Sequence, residues 1–422
     1  MKILYKITLV LMIPLIGLEG KSGPGQQVNW KEEIDGLKRE LIARHIDPFF
    51  YADSADFSKA LDHVAAAAGD KSILDVAIMI QQVVAKLGDA HTRVNYNYLI
   101  DNQLILPFDC YWFEEGLFVT RYWKAFEFLA GKKIVSINDF PIEQVIDSLT
   151  TLISGATPSL IKEEVPRMLT WSQLLDYFGF VKLPVIIIGL EGADGTYMQH
   201  AIELPSAESE HVSVSKGKLP LGWQEKNLFF TDRYFQSEKI YYIQYNKCWS
   251  REAEEDYGSG ASALFMPSFQ EFEKQTLKNV RKLDFEKLVI DLRFNSGGNA
   301  IQGTEFVKKL KKTRVEDKAS IYLLLGRRTR AEAITNAMDV IHTFQAVVVG
   351  EEPGGKPNQF GEVNRFVLTT SNMIVSYSTK YFQRKQENPN AILPDIPAQE
   401  TFKAFMEGKD VAFEAVKNHE LP

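Results

Sequence analysis

Lys287-Leu-Val-Ile-Asp-Leu-Arg-Phe-Asn-Ser-Gly-Gly-Asn299 sets an apolar run in front of a glycine pair. Gly297 and Gly298 free the turn from Cβ constraints, and helical spacing resumes at Ile301, Phe306, Val307 and Leu310. A strand that ends in glycines before a helix presents bare N–H groups, which can hold an oxyanion or a carboxylate. The same pattern also serves as a plain crossover with no ligand. The second candidate is His91, in Leu87-Gly-Asp-Ala-His-Thr92. Gly88 suits a helix C-cap. A His just beyond it, flanked by Asp89 and Thr92, can act as a catalytic base or simply satisfy a loop carbonyl. Cys110 and Cys248 are the only cysteines and sit among aromatic and apolar residues. Buried free thiols and a disulfide both stay open, and nothing else supports a metal site or a thiol nucleophile.

The elements that must position these residues fall into three stretches. Residues 28–95 read as helical, with Trp30, Ile34, Leu37 and Leu41 at helical spacing. Residues 100–205 read as a β subdomain of short strands, with a helix at 142–152. Residues 205–224 form a polar linker. From 225 to 415 strands alternate with helices: 240–245, an amphipathic helix at 266–283, the apolar run before the glycine pair, 321–325, a helix at 331–342, then 346–349, 366–368 and 373–377. Residues 252–260 read as a polar loop. That alternation predicts an α/β layer fold.

With 422 residues, the chain is long enough for two or three domains. Its 45% hydrophobic and 24% charged residues are those of an ordinary globular protein. A net charge of −7 without a basic stripe argues against nucleic acid as a partner. Lys2 and Lys6 precede an apolar segment at 7–18, too short for a comfortable membrane span and of signal-peptide length. Residues 1–25 are therefore expected to be a signal peptide, and the chain to be exported to the periplasm, cell envelope or medium.

Asp291-Leu-Arg-Phe-Asn-Ser-Gly-Gly, taken with its flanks, resembles the C-terminal processing (tail-specific) serine peptidase family, in its tricorn-core-like branch. The other segments that agree, in order, are Leu87-Gly-Asp-Ala-His-Thr92, the PDZ-like string Gly131-Lys-Lys-Ile-Val-Ser-Ile-Asn-Asp-Phe-Pro-Ile142, and Ile240-Tyr-Tyr-Ile-Gln-Tyr245. Gly326-Arg-Arg-Thr329, Val349-Gly-Glu-Glu-Pro-Gly-Gly-Lys356 and Leu393-Pro-Asp-Ile396 follow. The resemblance implies a helical N-terminal region, a PDZ-like subdomain and a C-terminal α/β peptidase domain. It implies no cofactor and no metal. It also implies polypeptide or peptide partners, C-termini among them, since PDZ-type modules add extended peptides to a sheet edge.

The family's chemistry is acyl transfer by a serine at a helix start, activated by a Lys or by a His. The resemblance places that serine at 331, the Lys at Lys356, the His at His91, and the oxyanion site at Gly297, Gly298 and Glu332. Residue 331, however, is alanine. A methyl group cannot attack a carbonyl, so the expectation is a pseudo-protease. Arg330 and Glu332 bring long charged side chains where the family has small or apolar ones. The alternative is an active serine-type peptidase with a substitute nucleophile from Ser296, Thr329 or Thr335, where Thr329 is expected to cap the helix. Lys356 can pair with Glu332 or Glu351. Arg293 is expected to be an internal ion-pair partner of Asp291, and Asp395 is given no catalytic role.

Overall fold

In the computed structural model, residues 28–206, 210–215, 217–384 and 391–420 are described. The expected signal peptide lies outside them.

A six-stranded sheet carries the C-terminal region, in the order Ile396–Pro397, Val347–Gly350, Ser320–Leu325, Lys287–Asp291, Ile240–Tyr245, Phe230–Phe235. All neighbours are parallel except the last pair. Residues alternate between two packed faces, as a strand period of two requires. Tyr241, Ile243, Leu288, Ile290, Ile321 and Leu323 face one core, under the helices Phe269–Lys282, Ala300–Lys311 and Glu332–Phe344. Tyr242, Val289, Tyr322 and Leu324 face another core, which takes in Phe413 and Val416 of the helix Val411–Asn418. The parallel register brings Asp291, Leu324 and Val349 level. The loops that leave those strands therefore gather at one edge, beyond the carboxyl ends, where open α/β sheets place ligands.

Buried electrostatics anchor that sheet. Arg293 is matched to Asp291 at 2.7 Å and to Asp410 at 2.8 Å, the internal pairing expected of it. Asp395 accepts a hydrogen bond from the Val348 N–H (2.8 Å) and so fixes an edge strand. Cys110 and Cys248 are both free thiols.

The N-terminal helices Trp30–Arg44, Ser54–Ala68 and Ile73–Ala85 share one core with a seven-stranded antiparallel sheet built from residues 108–213. Three local expectations need correction. Helices Pro158–Leu169 and Ser172–Tyr177 interrupt the β stretch. Residues Arg251–Tyr257 are helical, with the Ser250 hydroxyl accepting from Ala253 N–H (3.2 Å) as an N-cap. The strands Gln359–Val367 and Ile374–Phe382 do not extend the main sheet; they form a hairpin whose outer partner is Arg93–Val94. That long-range pairing carries the His91 loop to the C-terminal edge of the α/β sheet.

Candidate active site

The turn at 326–331 is held from several sides. Gly326 N–H donates to Thr329 Oγ1 (3.2 Å), and that hydroxyl donates to Leu292 O (2.8 Å). Thr329 thus ties two strand ends together and does not cap the helix. Arg330 N–H donates to Asn295 O (3.2 Å) and Gly355 N–H to Thr329 O (3.0 Å). Gln359 Nε2 donates to Ala331 O (3.0 Å). Clamped this way, Ala331 stands at φ 52°, ψ −128° at the N-cap of the helix Glu332–Phe344, with no side-chain cap bond. Left-handed φ costs a non-glycine residue roughly 1–3 kcal/mol and persists only where the surroundings impose it. A sharp strand-to-helix turn of this kind lifts the side chain at its apex clear of the sheet.

Against this apex lies the glycine loop. A Cβ on Gly297 (φ 102°) would stand 2.8 Å from the Ala331 Cβ and 3.2 Å from the Glu332 N. A Cβ on Gly298 (φ 139°) would meet Cys248 O. Both positions therefore require glycine. The Gly297 N–H donates inward to the buried Asn295 Oδ1 (3.0 Å). The Gly298 N–H donates to the Glu332 carboxylate at 3.1 Å. An anion is therefore already seated on the glycine loop, and it comes from the chain itself.

His91 follows the helix Ile73–Ala85 on a loop built around Asp89, which is buried. Asp89 accepts from His45 Nε2 (3.1 Å), from the His91 backbone N–H (2.9 Å) and from Thr92 Oγ1. Burial would raise its carboxyl, but the hydrogen bonds from His45 and His91 outweigh that and hold it well below the usual carboxylate range. His91 Nδ1 lies 3.6 Å from Asp89 Oδ1 and has no hydrogen-bond partner. Asp89 thus ties down the His91 loop through the backbone N–H, with the ring nearby but not hydrogen-bonded to it.

His91, Ala331 and Lys356 line one cavity of about 270 Å³, together with Ser296, Gln359 and Phe360. Among the described residues Lys356 forms no ion pair: Glu351 is held by Arg327 (2.7 Å) and Glu332 by the glycine loop. Arg330 turns to Glu164 at 2.6 Å. Of the three alternative hydroxyls, Ser296 reaches the cavity, whereas Thr329 is fully buried and Thr335 is not among the lining residues. A larger cavity of about 610 Å³ contains none of His91, Gly297, Gly298, Ala331, Glu332 and Lys356, although Arg330 lines both. Sequence reasoning missed His45, Arg93 and Arg365. His45 lies 44 residues from the aspartate it supports, and the two arginines join the cavity wall only through the hairpin.

As a whole, the chain has the tail-specific (S41) peptidase fold. Mature CPAF complexed with lactacystin is similar over 92% of this chain and 97% of that chain, at 12% identity and a TM-score of 0.64. Mature CPAF alone gives 92% and 96%, 11% identity and a TM-score of 0.62. The photosystem II D1 C-terminal processing protease matches over 92% and 99% at 11% identity, with a TM-score of 0.39. No protein-family model matches the sequence, and no curated protein does. Among the described residues no helix is long and apolar enough to cross a membrane.

Proposed function

We propose that this chain is an exported pseudo-peptidase that holds extended peptides in a peptidase-type cleft and does not cleave them. The observation that carries this reading is the pair Ala331 and Glu332. The strained apex supports a methyl group where acyl transfer needs a hydroxyl, and the next side chain occupies the Gly298 amide that would receive the oxyanion. His91, on the loop anchored by Asp89, and Lys356 stand in this reading at the positions of the base. Gly297 holds the loop open and Gly298 supplies the donor. Loss of a serine nucleophile leaves ~10³–10⁴-fold acceleration over water at best, too little for a working peptidase. The PDZ-like strand pattern at 131–142 supports peptide partners, and the apolar segment at 7–18 supports export.

The test is an activity-based probe. A fluorophosphonate should leave the intact mass of the purified protein unchanged, while peptides bind saturably by calorimetry. Labelling mapped to Ser296 would reinstate the active-peptidase reading, since Ser296 shares the cavity with His91. The N-terminus of the protein recovered from envelope and medium, read by mass spectrometry, tests export: a chain that still begins at Met1 and is confined to the cytosol refutes it.

A further inference from the structure

The hairpin that closes the cleft brings two arginines into one row. In the register of the three-stranded sheet, Arg93 lies opposite Ser376, and Ser376 lies opposite Arg365. Residues opposite one another across a sheet share a face, and all three line the cavity beside Ala331. Two strand spacings separate the arginines, roughly 10 Å, with only a serine side chain between them. Lys356 and Arg330 join the same wall. The carboxylate among the lining residues, Asp89, is committed to His45 and Thr92. Glu164 neutralises Arg330 and also Arg167, at 2.7 Å. Among the described residues Arg93, Arg365 and Lys356 form no ion pair, although the charge of Glu164 also reaches Arg93. The packed setting of the Arg93 guanidinium lowers it from its ordinary value, with Arg330, Arg167 and Arg365 adding to that and Glu164 opposing. Guanidinium groups favour planar carboxylates, which they grip with two parallel hydrogen bonds.

We infer that the cleft selects peptides that bear carboxylates, held by Arg93 and Arg365 across Ser376 with Lys356 beside them. The inference rests on the peptide-holding reading above and adds the class of ligand. The carboxylate can come from acidic side chains or from a chain terminus, and the probes separate the two. Four dodecapeptides would be titrated into the purified protein by calorimetry: alternating Ala-Glu, Ala-Gln and Ala-Lys peptides capped at both ends, and the Ala-Gln peptide with a free C-terminal carboxylate. The expected result is a preference of roughly tenfold or more for a carboxylate-bearing peptide over the capped Ala-Gln peptide. That preference should shrink between about 50 and about 300 mM salt. If the capped Ala-Glu peptide gains the preference, the source is side chains; if only the free-terminus peptide gains it, the source is the chain end. The double variant Arg93→Gln/Arg365→Gln should erase the preference, so that the carboxylate-bearing peptides bind no tighter than the capped Ala-Gln peptide; Lys356→Gln should reduce it in part. Equal binding of all four, or the tightest binding by Ala-Lys, overturns the charge selection while leaving the peptide cleft standing. If none of the four binds, the peptide cleft falls and the selection with it.

Discussion

Placing a hydroxyl at position 331 tests the pseudo-peptidase reading most sharply, because the structure sets an order between two variants. Ala331→Ser places an oxygen on a turn whose clamps are the neighbouring backbone and the Gln359 side chain, so its conformation should be retained. The Glu332 carboxylate nevertheless remains on the Gly298 amide at 3.1 Å. A tetrahedral oxyanion would have to displace it, and a missing oxyanion donor costs ~10²–10³ in rate, or about 2.7–4 kcal/mol. Ala331→Ser/Glu332→Ala removes the occupant while keeping a good helix former at the first helical position. The double variant should therefore react ~10²–10³ times faster than Ala331→Ser alone, with the parent chain silent. The rate of fluorophosphonate modification, followed by intact mass, measures it, and turnover of a fluorogenic peptide repeats the comparison on a substrate. Equal rates for the two variants would mean that the carboxylate does not block the amide in solution. No modification of either would mean that His91 and Lys356 are not poised to activate an alcohol at 331, and the shared cavity would lose its catalytic interpretation.

Three further outcomes concern the groups that hold the site. Asp89→Asn should destabilise the protein by about 3 kcal/mol at neutral pH, because His45 and Thr92 lose an ionised acceptor in a buried place. The Asp89 carboxyl is held low, so its contribution is present above the unfolded carboxylate range and disappears as pH falls; urea titrations at pH about 7 and about 3 should show a flatter acid decline in the variant. Glu400 behaves with the opposite sign. Burial raises its carboxyl to about 8, helped by the charge of Asp410. The folded chain keeps that proton while the unfolded chain releases it near the ordinary value, so stability falls as pH rises towards 8, by at most about 5 kcal/mol. Glu400→Gln should match the parent at pH about 4 and exceed it at pH about 8 in denaturant midpoint; a variant weaker at both would contradict the raised carboxyl. Arg293→Met strands the buried carboxylates Asp291 and Asp410 and should cost at least about 3–5 kcal/mol, read as loss of soluble, cooperatively unfolding protein.

The parallel sheet was legible because strands covered on both faces are nearly continuous apolar runs, and 240–245, 288–290 and 321–325 are such runs. The glycine pair at 297–298 was legible because its spacing before a helix has a narrow physical meaning. Less readable was anything decided by contact across the chain. Helix Pro158–Leu169 hides behind Pro166 in its interior, although Leu160, Val165, Met168 and Leu169 keep helical spacing. The short helix Arg251–Tyr257 is polar and held by capping, which hydrophobic periodicity does not report. The hairpin's strands were visible, but nothing local says that their outer partner is Arg93–Val94, and the arginine row exists only in that register. The same holds for Glu332. Its acidity suits a helix start, yet that its carboxylate turns back onto Gly298 depends on a loop 34 residues earlier.

How the fold tolerates the alanine follows from the clamps on the turn. The bonds that clamp the 326–331 turn involve Thr329, the backbone of Arg330, the carbonyl of Ala331 and the partners Asn295, Leu292, Gly355 and Gln359. None of them uses the side chain at 331, so a missing hydroxyl costs the scaffold nothing and the strained conformation persists without it. The helix start still carries unsatisfied positive dipole, and an adjacent glycine loop still offers an amide. A peptidase would leave both for a transient oxyanion. Here the Glu332 carboxylate is already hydrogen-bonded to that amide. In the pseudo-peptidase reading, the substitution at 332 thus does more than accompany the loss at 331: it fills the space the chemistry left, and the cations across the cleft remain for whatever anion the bound peptide brings.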